Sequence, residues 1–302
     1  MMSALLLGVL ASSIMSGTSL LFATIGEIVG ERAGIVNLGL EGIMLVGAAT
    51  GFAATALTGN AYLGVGAAAL AGTAVNLIFA YLVVTRRANQ LATGLTLMFF
   101  GLGLSALVGH PFVGTLIAGL PKFRLFGLGR MGDPLFSYDF LVYLAVPTAV
   151  AVWWLLFRTA WGLGVRAVGE SPVAAVAAGL SPGRLRYQAL ALAGLLGGIA
   201  GAHLSLALTL TWAEGMTAGR GFIAIALVIF AKWNPLWAIA GALLFGGAES
   251  LQLQLQAAGA DVSPFIMNMI PYLLTMLVLI FWGWSRQTAA PAALGRNFVG
   301  VE

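Results

Sequence analysis

The chain has 302 residues, 60% of them hydrophobic and only 8% charged, with a formal net charge of +4 and a mean hydropathy of +1.00. A water-soluble domain carries about 25% charged residues, so this chain cannot cover a solvent-facing surface and is expected to cross a membrane several times. The few basic residues sit between apolar runs, as the inside preference of Lys and Arg requires, and give no ground for nucleic-acid binding; the absence of cysteine excludes disulfides and thiolate metal sites.

No charge precedes Glu27. Residues 3–24 are long enough for a first span, which takes about 20 apolar residues. With no basic start and no cleavage pattern, they are read as a retained helix rather than a signal peptide. Glu27 to Gly42, EIVGERAGIVNLGLEG, is either a plain loop or a broken, re-entrant segment lining a cavity; its apolar content puts it within the membrane or at its edge. The uncharged run from Gly42 to Thr85 reads as two helices joined at Thr58-Gly59-Asn60 and closed by Arg86-Arg87. A span at about 91–110 ends at His110-Pro111, and the long connection 111–138 carries Lys122, Arg124, Arg130 and Asp133.

The next span runs from Asp139 to Phe157, with Trp153-Trp154 as interfacial anchors. Another, at about 184–210, holds Gly197 and Gly201 at the spacing that brings helices close. His203 stands alone there and reads as a hydrogen-bonded core residue, not a metal ligand. The piece 221–231 is short, a short helix or a re-entrant one. Lys232 to Pro235 form a turn, 236–255 the following span, and Gln252, Gln254 and Gln256 a helix end reaching an aqueous surface. The last span is expected at about 264–283, before a tail of 285–302.

The polar stretch Arg158 to Tyr187 contains a helix of its own. Ser171-Pro172 supplies a capping hydroxyl and a proline for the first helical position, and Gly179 a residue that tolerates positive φ just past the end. Val173, Val176, Ala177 and Leu180 share one small apolar face. Such a unit is either an ordinary helical loop or something presented to a partner.

Placing 158–187 in the cytoplasm makes the topology consistent. Arg86-Arg87, Lys232 and the C-terminal tail then fall inside, while 58–60, 111–138 and 212–220 fall outside. The expected fold is an all-α polytopic membrane protein of eight to ten spans, a single domain over 1–302. No phosphate-binding GxxxxGK[ST] loop, HExxH or GxSxG motif is present, so the chain is not expected to be an enzyme or to hydrolyse ATP itself.

Four stretches carry a family resemblance: GERAGIVNLGLEGIMLVGA (30–48), RANQLATGLTLMFFGLGLSALVG (87–109), WGLGVRAVGESPVAAVAAGLSPGRLRYQALALAGLLGGIAGAHLSL (161–206) and AEGMTAGRGFIAIALVIFAKWNPLWA (213–238). Together they resemble the permease subunits of bacterial ATP-binding-cassette importers for branched-chain amino acids, simple sugars and nucleosides, and are most similar to the nucleoside type. The resemblance implies a location in the bacterial cytoplasmic membrane. It also implies a second, homologous permease, an ATPase subunit that holds ATP and Mg, and an extracellular substrate-binding lipoprotein, with no cofactor or metal in this chain. It makes 158–187 the coupling loop, with Arg166, Ala167, Gly169, Glu170, Ala177, Ala178 and Gly179 matching the pattern and Ser171 and Val173 departing from it. For a neutral polyhydroxylated solute, polar uncharged contacts are expected. Asn37, Asn76, Asn89 and Asn268 are the candidates, with Glu249 and Glu41; each is otherwise a residue that hydrogen-bonds helix to helix. An ion-coupled secondary transporter is the rival reading, and it needs ionisable groups inside the spans.

Overall fold

The structure, a computed structural model, describes residues 2–124, 136–257, 269–270, 273–274, 276–277, 280 and 290–296. Its helices are α1 Met2–Arg32, α2 Leu40–Thr58, α3 Ala61–Ala80, α4 Gln90–Gly109, α5 Phe140–Arg158, α6 Ala160–Glu170, α7 Pro172–Ala177, α8 Pro182–His203, α9 Arg220–Phe230 and α10 Pro235–Ala257. A short antiparallel pair, β1 Lys122–Arg124 with β2 Ser137–Asp139, closes the long connection before α5. Among the described residues seven helices are long and apolar enough to cross a membrane, and α9 is a shorter apolar one. Most of the expected span at 264–283, Asn268 and both ends of the tail lie outside the described residues.

The first helix does not stop at residue 24 but runs on to Arg32. Its charges have partners, so they do not break it. Glu27 accepts the Asn37 N–H at 2.8 Å, Glu31 accepts the Trp233 indole N–H at 2.5 Å, and Arg32 donates to the carbonyls of Trp233 and Lys232. The stretch 27–42 is therefore buried, as its apolar content suggested, yet it is no re-entrant element. It is the last turns of α1, a tight turn at 33–39 and the start of α2.

α1 packs along α8, α9, α10 and α5, and α8 also lies against α2 and α3. These approaches need glycine. A methyl group at Gly198 would run into the Ala68 carbonyl of α3, and one at Gly201 into the Met44 carbonyl of α2. The glycine row of α8 thus sets two helix contacts at once, through dispersion and close backbone packing. α8 continues through a π-turn, Leu204–Leu208, where the Ser205 hydroxyl donates to the Ala48 carbonyl. The connection after α4 is tied to this end by Leu120 N–H to the Leu206 carbonyl and Ile117 N–H to the Leu210 carbonyl.

α9 is not a full span. Trp212, before it, packs with Ala49 and Phe52 of α2. The chain then descends in successive turns until Gly221 lies against Glu41, at the first turn of α2. The separation of those levels along α2 is about 12 Å at 1.5 Å per residue. The stretch 212–220, expected as an outside loop, thus reaches down alongside α2 before helix resumes.

Candidate functional site

Two regions hold the residues singled out in the sequence. The first is α6–α7. The Ser171 hydroxyl caps α7 by accepting the Ala174 N–H at 3.3 Å. The helix is closed by Gly179 at φ +79°, with Leu180 N–H returning to the Ala175 carbonyl at 3.0 Å. Ala175 is the one residue of α7 turned fully inward. Val173 is 59% exposed, Val176 and Leu180 are also exposed, and Ala177 and Ala178 lie beside them. A short helix with its apolar face turned out is a contact surface without its counterpart.

The preceding α6 was not foreseen as a helix, although Thr159 accepts the Gly162 N–H as a capping hydroxyl should. It fixes α7 to the body. Val165, Val168 and Gly169 are buried, and a side chain at Gly169 would strike the Arg32 carbonyl. The C-terminal segment 290–296 lies across this joint. Ala293 N–H donates to the Gly169 carbonyl at 2.9 Å and Ala292 N–H to the Glu170 carboxylate at 3.2 Å. Gln90 Nε2 donates to the Arg296 carbonyl, and Gln90 Oε1 accepts the Val36 N–H. Arg166 and Arg32 both stack on the Phe157 ring, at 5.0 and 5.4 Å. Of the eight coupling candidates, Val173, Ala177, Ala178 and Gly179 are thus exposed on α7 or its end. Gly169 and Glu170 tie α6 to the tail, Arg166 stacks on α5, and Ala167 is half-buried.

The second region is the set of polar residues within the spans. Asn37 and Asn76 meet: Asn37 Nδ2 donates to Asn76 Oδ1 at 2.9 Å, and Asn76 Nδ2 donates to the Leu190 carbonyl at 2.6 Å. Asn37 Oδ1 accepts the Gly39 N–H. Both side chains are 1% exposed, so their hydrogen bonds join α8, α3 and the turn before α2. Asn89 caps α4 through the Ala92 N–H. Glu41 closes the N-terminus of α9. Its carboxylate accepts the Thr217 hydroxyl and the N–H groups of Gly219 and Gly221.

Glu249 of α10 pairs with Arg220, the first residue of α9, and Arg220 also donates to the Ser19 hydroxyl of α1 at 3.0 Å. Arg220 and Ser19 were not among the sequence candidates. A single cation and a single carboxylate in neighbouring apolar segments were the available signal, since such charges inside a membrane seek each other. The end shared by α1, α9 and α10 is marked by the Arg32 contacts to Lys232 and Trp233. Counting along each helix from that end, Arg220, Ser19 and Glu249 lie about 15–21 Å up, near the middle of a hydrocarbon layer about 30 Å thick.

His203 is fully buried, with Nε2 3.7 Å from the Asp139 carboxylate, and no group of metal-binding side chains occurs among the described residues. Asp139 caps α5 through the Leu141 and Val142 N–H groups. Burial pushes its carboxyl up, but the His203 imidazole and the two amides outweigh burial and hold it below the usual carboxylate range.

Apolar helices closed around internal polar pairs, with a short exposed helix at one end, are the architecture of an all-α, multi-span membrane protein. The chain belongs to the family described as "Branched-chain amino acid transport system / permease component", which matches residues 9–281. It is 38% identical to a protein of Haloferax volcanii named provisionally as a glucose ABC transporter permease, over 96% of this chain and 97% of that one. It is 33% identical to a nucleoside ABC transporter permease of Lactococcus lactis and 31% to a guanosine ABC transporter permease of Bacillus subtilis, each over 96% of both chains. No solved structure is significantly similar.

Proposed function

We propose that this chain is one permease subunit of an ATP-driven importer for nucleosides or related simple sugars. The supporting observation is the family match along nearly the whole chain, together with relatives named for guanosine, nucleosides and glucose. In this reading a partner ATPase binds and hydrolyses ATP, and its groove receives α7 on the cytoplasmic side. A substrate-binding lipoprotein delivers solute from outside, and a second, homologous permease completes the path. ATP-driven closure of the ATPase pair moves α7, and rigid-body rocking of the two permeases changes the side on which the path is open. Of the carboxylates within the spans, Glu27, Glu31 and Glu41 are each engaged by donors fixed in the fold, and Glu249 is paired with Arg220, so ion coupling would have to release one of these partners. Reconstitution with the ATPase and binding protein tests the proposal. Uptake of labelled guanosine or glucose should require ATP and both partners; uptake driven by a proton or sodium gradient in the isolated chain would refute it.

A further inference from the structure

We infer that Arg220, Glu249 and the turns leading into α9 line the solute path, and that this part of the path takes a neutral, polyhydroxylated molecule. The inference rests on the transport reading above and adds the residues and the ligand chemistry to it. Three observations carry it.

The first is depth. Arg220, Ser19 and Glu249 meet well inside the span region, at the junction of α1, α9 and α10. The second is backbone. Non-helical chain at such depth is tolerated only where it is buried in protein or lines water. The turns before α9 are not wholly buried: Ala218 is exposed and Gly219 and Arg220 are half-buried. Their geometry is fixed from behind by Glu41, which satisfies the free N–H groups of Gly219 and Gly221 and so removes the need for an anion at that helix start. The third is charge. The Arg220 and Glu249 side chains keep 11% and 26% of their surface open, and an ion pair that turned that surface to lipid would be costly. Facing water, it is stable, and it presents guanidinium N–H donors beside carboxylate acceptors.

That donor–acceptor pairing suits vicinal hydroxyls, each of which both donates and accepts. Because its two charges cancel, the pair itself offers no net attraction to an ionic solute, whereas a neutral ribose or hexose ring meets hydrogen-bonding groups of both kinds. Ser19 holds the guanidinium from the α1 side, which leaves its remaining N–H groups directed by the pair rather than free to swing.

The chain lacks cysteine, so single thiols can be placed without other changes. Ala218→Cys, in the turns before α9, and Ala248→Cys, half-buried beside Glu249 on α10, are made in the full permease, assembled with its ATPase and binding protein in proteoliposomes, and treated with a hydrophilic methanethiosulfonate. Val150→Cys, on the exposed apolar stripe of α5, is the comparison site. Both path thiols should react about tenfold faster or more than the comparison site, and labelled guanosine or glucose should slow them during turnover. Equal rates at all three sites would overturn the inference. Glu249→Gln gives a second measure: uptake should fall about tenfold, the order expected for hydrogen bonds to a charged group, with the permease still in the membrane. Full uptake by that variant would overturn the assignment of Glu249. Uptake that proves independent of ATP, with the path thiols still reactive and protected, would instead remove the ATP-driven reading and leave the path in place.

Discussion

The carboxylate of Glu41 and the amide of Gly221 lie 2.6 Å apart, and no side chain fits at Gly221: a Cβ there would come within 2.6 Å of the Glu41 backbone. The first turn of α2 and the first turn of α9 are thereby joined as one unit, and α9 is held by an internal acid in place of solvent.

Removing that acid should be severe. Glu41→Ala leaves the Thr217 hydroxyl and the N–H groups of Gly219 and Gly221 without their acceptor, at about 1–3 kcal/mol for each of the two that are buried, Thr217 and Gly221. Gly221→Ala forces α9 off α2, and overpacking of this kind costs about 1–3 kcal/mol. Both variants are expected to give less monodisperse protein in detergent, with a lowered melting temperature. Glu41→Gln, which keeps an acceptor, should fall between them and wild type. Wild-type melting of Glu41→Ala would show that α9 does not depend on this contact.

The exposed face of α7 predicts a different phenotype. Gly179 adopts φ +79°, which costs an L-residue roughly 1–2 kcal/mol and a β-branched one more. Gly179→Val should distort the end of α7, and Ala178→Trp should block its docking. Each is expected to leave the permease inserted and to reduce ATPase pull-down and binding-protein-stimulated ATP hydrolysis together, by about tenfold. Retention of both properties would dissociate α7 from the ATPase.

Asn37→Ala is expected to act on stability before transport. It strips partners from Asn76 Oδ1 and the Gly39 N–H in a closed network, at about 1–3 kcal/mol each. The measurement is the melting temperature beside the specific uptake of the surviving protein. Normal melting with lost uptake would return Asn37 to the solute path.

Asp139 carries a pH signature. Its carboxyl is held below the usual range in the folded protein, so its contribution is fully present above the ordinary carboxylate pKa and is lost as pH falls through the lower, folded value. Asp139→Ala removes the α5 cap and the His203 pairing, worth about 1 kcal/mol for the cap alone, or about 2–4 °C in melting temperature. The gap between variant and wild type should be widest at neutral pH and should close in strong acid. A gap that does not change with pH would mean that the charge plays no part.

The long apolar runs were legible because membrane solvation leaves little choice of structure, and α7 was legible because Ser171-Pro172 and Gly179 are local signals. What stayed hidden was set by partners remote in sequence. α1 runs past Glu27 and Glu31 because Trp233 receives one of those acids, about two hundred residues away, and Asn37 the other. The role of Glu41 depends on Thr217, Gly219 and Gly221, which no local pattern links to it. Asn37 and Asn76 could each be named from the sequence, but their mutual hydrogen bond could not. The short helix at 220–230 was visible as an apolar run too brief to span, while the depth of its start followed only from Glu41 and Ser19.

The C-terminal segment at the α6 joint has a mechanical consequence. Gly169, Ala293, Arg296, Gln90 and Val36 form a chain of hydrogen bonds in which most links are backbone to backbone or run through one buried amide. Linkages of this kind have little slack. A push delivered on α7 would therefore have a hydrogen-bonded route to α4 and the turn into α2, much as a crank turns its shaft. Ending the protein at residue 289 would remove one bearing of that crank while leaving α1 to α10 in place.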